Sequence, residues 1–183
     1  MKQESDVEQQ LWRFSLERYD RPHVERLSLE LQDRYGFDVN LIFFCLWLAD
    51  ARGEALGHQG IEMLRRAAAP ANENLVAPIR AARRWLKGRA GAGTPEDAGR
   101  SLYEAVKAIE LRCERLVQHA LVEQLGEVLP REQAGNALAA AVASLEAYAA
   151  LLSADDDVVR TLRELASRTI GQDEGPAGSS LGG

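Results

Sequence analysis

Apolar residues recur at spacings of three and four along almost the whole chain, and no segment alternates as a half-buried strand does. Leu11, Trp12, Ser15, Leu16 and Tyr19 form one side of a first predicted helix, Ser5 to Tyr19, with Ser5 as cap and Glu8 three residues on. Val24, Leu27, Leu31 and Tyr35 form the stripe of a second, opened by Pro22 and closed by Gly36. A third, Val39 to Ala51, is apolar nearly all round. A helix without a polar face must be surrounded, so this one is expected at the centre of the core. Asp38 is its expected cap, and Gly53 and Gly57 close it.

A fourth helix is expected from His58 to Ala69, carrying Ile61, Met63 and Leu64, with Pro70 as its stop. A fifth spans Glu73 to Lys87 with Leu75, Val76, Ile79, Ala82 and Leu86 inward, kinked at Pro78 or starting there. Gly88 to Gly93 is the clearest break in the chain. Thr94 then caps a long helix whose seam is Leu102, Val106, Ile109, Cys113, Leu116 and Ala120, alternating steps of four and three as a heptad does. Pro130 is expected to open the next helix, with Leu138, Ala141, Val142, Leu145, Tyr148, Ala149 and Leu152 inward. The last helix, Asp155 to Thr169, buries Val159, Leu162, Leu165 and Ala166. The predicted fold is all-α: a compact bundle of seven or eight helices around a central apolar helix near 39–51. It forms one domain over 5–170, divisible at a linker over 88–93 into 5–87 and 94–170. The Gly/Ser/Pro-rich stretch 171–183 is expected to be disordered.

Composition narrows the function classes. The chain has 183 residues, 46% hydrophobic and 27% charged, enough apolar material for a core. Its net charge of −6 argues against a general polyanion binder. The N-terminus lacks a basic stretch followed by an apolar run, and the apolar run Leu41 to Ala49 is too short to span a bilayer. A cytoplasmic protein with no membrane partner is the expectation. Cys45 and Cys113 then read as small, reduced, buried hydrophobes. His23, His58 and His119 stand alone, without zinc-finger or metalloprotease spacing. There is no phosphate-binding loop, dinucleotide fingerprint or nucleophile elbow. No catalytic residue, metal or cofactor is assigned, and the reading leans away from an enzyme. Glu110 and Glu114 lie four apart but lack the accompanying Glu-x-x-His motifs of di-metal bundles, so they read as a solvated face. Trp12, Phe43, Phe44 and Trp47 read as core.

Two clusters remain. Gln32, Asp33, Asp38 and Asn40 surround the tight turn before the apolar helix. They can be architectural, with Asp38 capping and Gln32 and Asn40 satisfying backbone groups, or they can hold a divalent cation or divide acid and base roles. Arg80, Arg83, Arg84, Lys87 and Arg89 form a basic cluster, with Arg65 and Arg66 as additions, and no acid occurs between Leu75 and Thr94. They can bind an acidic protein or phosphates, or be a solvated helix face. Trp85 alone is a poor stacking platform, which points away from nucleic acid.

The segment Trp12 to Trp47 contains Trp-x-Phe-Ser, then Leu-Gln-Asp, Gly and Asp-Val-Asn ahead of the apolar stretch. On Trp12, Phe14, Tyr19, Leu31, Gln32, Asp33, Gly36, Asp38, Val39, Asn40 and Trp47 it resembles a proteobacterial family of small cytoplasmic proteins of unknown function. The resemblance implies a group and no activity. The leading expectation is therefore a non-catalytic helical protein that binds another protein, through the basic cluster or any uncovered part of the 102–128 seam. Self-association stays open. The alternatives are an enzyme or ligand binder using Asp33, Asp38 and Asn40 with a divalent metal, and weak nucleic-acid binding through the arginines.

Overall fold

The structure is a computed structural model and describes residues 2–89, 96–126 and 131–171. Among these the fold is all-α, in the order α1 (Lys2–Tyr19), α2 (Pro22–Tyr35), α3 (Val39–Arg52), α4 (His58–Ala71), α5 (Ala77–Arg89), α6 (Glu96–Glu123), α7 (Ala137–Leu151) and α8 (Asp156–Ile170). Two short strands, β1 (Glu54–Ala55) and β2 (Glu132–Gln133), pair antiparallel, Glu54 with Gln133 and Ala55 with Glu132.

The apolar helix is the centre of the core. Every residue of α3 from Asn40 to Ala49 is buried. Packed around it are α1, α2, α4, α6, α7 and α8. Its entry is built as expected. Pro22 opens α2, and Gly36 ends it at φ 73°, a conformation that costs a glycine little. Asp38 then caps α3, its carboxylate accepting from the Asn40 N–H at 2.9 Å. Gly53 ends α3 at φ 66°. The Phe37 ring meets Tyr148 edge-on at 4.8 Å, tying the α2–α3 corner to α7. Both cysteines are buried and free, and burial pushes the Cys45 thiol pKa well up.

Several boundaries and faces differ from expectation. Helix α1 already begins at Lys2, so Ser5 lies within it and not at its N-terminal boundary, and Leu16 is exposed. Pro70 does not stop α4: it lies inside it, and the chain runs through a π turn, Asn72–Val76, straight into α5. A proline lacks the N–H and crowds the preceding turn. The wide turn that follows absorbs the mismatch, and Asn74 Nδ2 donates back to the Pro70 carbonyl at 2.8 Å. That extra residue rotates α5 relative to a simple 3.6 count. Val76 is buried and Ile79 packs on the core, but Leu75 and Ala82 face outward.

The seam of α6 is rotated as well. Cys113 is buried, while Leu102, Ile109 and Leu116 are 53%, 47% and 51% exposed. The buried row is instead Glu110, Cys113, Val117 and Leu121, flanked by Gln118 and Val122. Glu110 and Glu114 are thus not a solvated face; Glu110 is 5% exposed and both face arginines of α5. Helix α7 begins at Ala137 and not at Pro130, which is outside the described residues. Asn136 caps it, accepting from the Ala139 N–H at 2.8 Å. The residues before it are drawn to β1, with Ala134 N–H donating to Gly53 O at 3.0 Å and Arg131 pairing with Glu54. Leu138 is exposed, whereas Ala141, Leu145, Tyr148 and Ala149 are buried as expected. Asp155 caps α8, which buries Leu162, Leu165 and Ala166 as expected, with Val158 and Thr169 in addition. Thr94 and the 171–183 stretch, apart from Gly171, lie outside the described residues.

Candidate functional site

Helices α1, α2, α3, α5 and α6 enclose a cleft of about 440 Å³. That volume falls in the range of small-molecule sites. Gln32 and Asn40 from the polar turn and Arg83 and Lys87 from the basic cluster all line it, so the two separate sequence clusters converge on one place. The rest of each cluster goes elsewhere.

Asp33 and Asp38 are pulled apart. The exposed Asp33 accepts from Gln32 Nε2 at 3.2 Å and pairs with Arg84. Asp38 points the other way. Beyond capping Asn40, its second oxygen accepts from Asn72 Nδ2 at 2.6 Å, and its own N–H donates to the Tyr148 hydroxyl at 3.0 Å. Burial raises the Asp38 pKa above the ordinary carboxylate value, partly opposed by the Asn72 and Asn40 hydrogen bonds. The same corner pushes the Tyr148 hydroxyl pKa up through burial. Gln32 and Asn40 serve side chains and not the backbone groups expected: Asn40 Oδ1 accepts from Gln118 Nε2 at 3.3 Å. Among the described residues no three His, Cys, Asp or Glu side chains lie close enough to hold a metal ion together.

The basic cluster has its counter-charges on other helices. Arg80 donates to Glu110 at 3.0 Å and to Glu114 at 2.9 Å, and Arg83 grips Glu110 through both oxygens. Burial pushes the Glu110 pKa up, but the Arg83 and Arg80 hydrogen bonds outweigh it and hold it below the usual value. Glu114 has one arginine to Glu110's two. There burial wins and the pKa is raised. The Glu110 hydrogen bond, against the cost of burial, raises the Arg83 pKa further. Arg65 and Arg66 both pair with Glu62 on their own helix. Lys87 has no ion-pair partner among the described residues. Arg89 ends α5, and its side chain lies outside the described set.

The floor of the cleft contains groups the sequence did not flag. Ser15 Oγ donates to Leu11 O at 2.9 Å, so it can only accept from Gln118, whose Nε2 lies 3.0 Å away. The second Nε2 proton goes to Asn40 Oδ1. These contacts orient the Gln118 amide, and its Oε1 is buried with no donor among the described residues. An unpaired buried acceptor costs roughly 1–3 kcal/mol. Above it, burial and the nearby Glu25 and Glu114 charges raise the Tyr19 pKa to about 12, so its hydroxyl is a neutral donor at neutral pH. The signal for Gln118 was present but ambiguous, since a glutamine between Val117 and Leu121 looks like the edge of a stripe.

A family model described as "Protein of unknown function (DUF2390)" matches residues 10–121, more than half of the chain. The chain belongs to this family. The family match runs from α1 to the end of α6, and the whole cleft lining, Trp12 to Gln118, falls inside it. No curated protein and no solved structure matches the chain.

Proposed function

We propose that this protein acts without catalysis by binding another protein, and that the contact is the outward row of α6: Leu102, Ile109 and Leu116. The observation that carries this is their placement. They recur every seven residues, the spacing with which one helix packs on another, yet each stands about half exposed. Isolated exposed leucines are ordinary, but a periodic row is a surface of defined shape. Arg112 is exposed along the same helix, whereas Arg115 lies over the Trp12 ring of α1, so the fitting partner is an amphipathic helix with an acidic flank. Two copies packed through this row would bring both Arg112 side chains to one seam, which disfavours self-association there. The α5 arginines support the reading by exclusion: Arg80, Arg83 and Arg84 already face carboxylates, leaving little free charge for phosphates.

The test is affinity capture with wild type and an Ile109→Glu/Leu116→Glu pair, followed by hydrogen exchange on the complex rebuilt from the purified partner. The expected result is a partner lost with the variant and protection centred on 102–116. Protection elsewhere, or equal recovery by both baits, overturns the assignment. Light scattering checks the oligomer: a dimer that dissociates on Ile109→Glu would assign the row to self-association instead.

A further inference from the structure

We infer that the Asp33–Arg84 ion pair is a clasp at the edge of the cleft, and that α5 with the first half of α6 leans away from α2 when it opens. This does not rest on the proposed protein contact.

The position of the pair comes first. Gln32 of α2 and Arg83 and Lys87 of α5 line the cleft, and Asp33 and Arg84 are the chain neighbours of Gln32 and Arg83. The pair therefore joins two walls of the cleft, between residues 51 apart in the chain. Gln32 ties the clasp to the interior, because its Nε2 donates at 3.2 Å to the same Asp33 oxygen that meets Arg84. Whatever engages Gln32 from within the cleft therefore acts on the clasp.

The way the moving part is held comes second. Helix α6 is tied to α1 near its C-terminal end, where Gln118 donates to Ser15, His119 meets Glu8 and Arg115 lies over Trp12. Val117 and Leu121 are buried in the core there. Along the first half, Leu102, Lys107, Ile109 and Leu111 are exposed. At about 1.5 Å per residue the arm from Cys113 back to Glu96 is about 25 Å long, and a bend of about 10° moves its end by roughly 4 Å. Helix α5 travels with this arm, because Arg80 and Arg83 hold Glu110 and Glu114. Behind α5, the π turn Asn72–Val76 and then Pro78, which has no N–H, interrupt the regular helical ladder and form the joint.

Strength separates the clasp from the other arginine pairs. The Asp33 and Arg84 side chains are 45% and 52% exposed. An ion pair so exposed biases a two-state balance by no more than about fivefold, so it favours the closed cleft and still opens readily. Arg80 and Arg83 are 18% and 21% exposed and hold a carboxylate only 7% exposed, so those pairs stay made.

The test is the distance between spin labels on Arg26→Cys of α2 and Ala81→Cys of α5, two exposed positions, measured by double electron–electron resonance on the full chain. The unsubstituted chain, whose cysteines are buried, is the labelling control. Arg84→Gln and Asp33→Asn should each at least double the population at a distance longer by a few Å, and the double variant should go no further than either. In 1 M salt, where the Debye length is about 3 Å, the wild-type pair should move to the variants' distribution while the variants stay in place. Both side chains are half exposed, so the variants keep the fold. A distribution unchanged by either substitution, a double variant that adds the two effects, or a wild-type distance indifferent to salt overturns the inference.

Discussion

Asp38 shows how much one side chain can be asked to do. Its carboxylate caps α3, accepts from Asn72 at the start of the π turn, and lies next to the N–H that meets Tyr148. Asp38→Ala removes the cap and the Asn72 bond, so the expected loss is roughly 1–2 kcal/mol in urea unfolding. Asp38→Asn keeps most of the shape but cannot titrate. Because the folded pKa of Asp38 is raised, its contribution is fully present below the unfolded value and falls away as pH rises through the folded one. The variant should therefore lose part of the wild type's decline in stability above the ordinary aspartate range, measured as melting temperature against pH. Glu110 has the opposite sign. Its lowered pKa stabilises above the unfolded value and is lost as pH falls through the folded one. Arg83→Ala leaves this buried carboxylate with Arg80 alone and should cost on the order of 3 kcal/mol. The cap was legible in the sequence, because Gly-x-Asp before an apolar run is local chemistry. The partners of Asp33, Arg80 and Arg83 were not, because each lies on a helix far away in the chain.

At the scale of the helix, α6 carries the most informative departure. Its apolar residues form more than one row, and a periodicity count prefers the longest. The buried row contains Glu110 and Gln118, which a hydropathy pattern treats as surface. They are tolerated inside because α5 brings arginines and α3 brings Asn40. The two rows should separate in experiment. Ile109→Ser should change stability by less than about 0.5 kcal/mol, as exposed sites do, whereas Leu121→Ala should cost roughly 2–5 kcal/mol. Equal effects in thermal unfolding would return the core to the outward row. In α5 the phase error has a different source. The π turn inserts a residue that no periodic count includes, and so Leu75 and Ala82 turn outward.

Across the whole molecule, the family match ends at residue 121, but the core does not. Leu145, Tyr148 and Ala149 of α7 and Leu162 and Leu165 of α8 are buried with α3 in one cluster. Ser144 Oγ accepts from the Leu56 N–H at 2.9 Å, and β2 pairs with β1. A chain ending at residue 126 would leave one side of α3 uncovered. It should lose its cooperative thermal transition and bind a hydrophobic dye. A sharp transition close to that of the full chain would show that the matched region folds alone.

What the sequence determined by itself is whatever depends on near neighbours: helix rather than strand, the Gly36 and Gly53 ends, the Asp38 cap, and the burial of a helix with no polar face. Those follow from backbone geometry and local hydrogen bonding, which operate over a few residues. The tertiary structure decided which row of α6 faces inward, which acids meet the α5 arginines, and that Gln118 is buried with an oxygen that finds no donor among the described residues. Each of these is a contact between segments distant in the chain, and the cost of burying a charge or an amide is set by the partner that arrives, which composition and spacing do not contain.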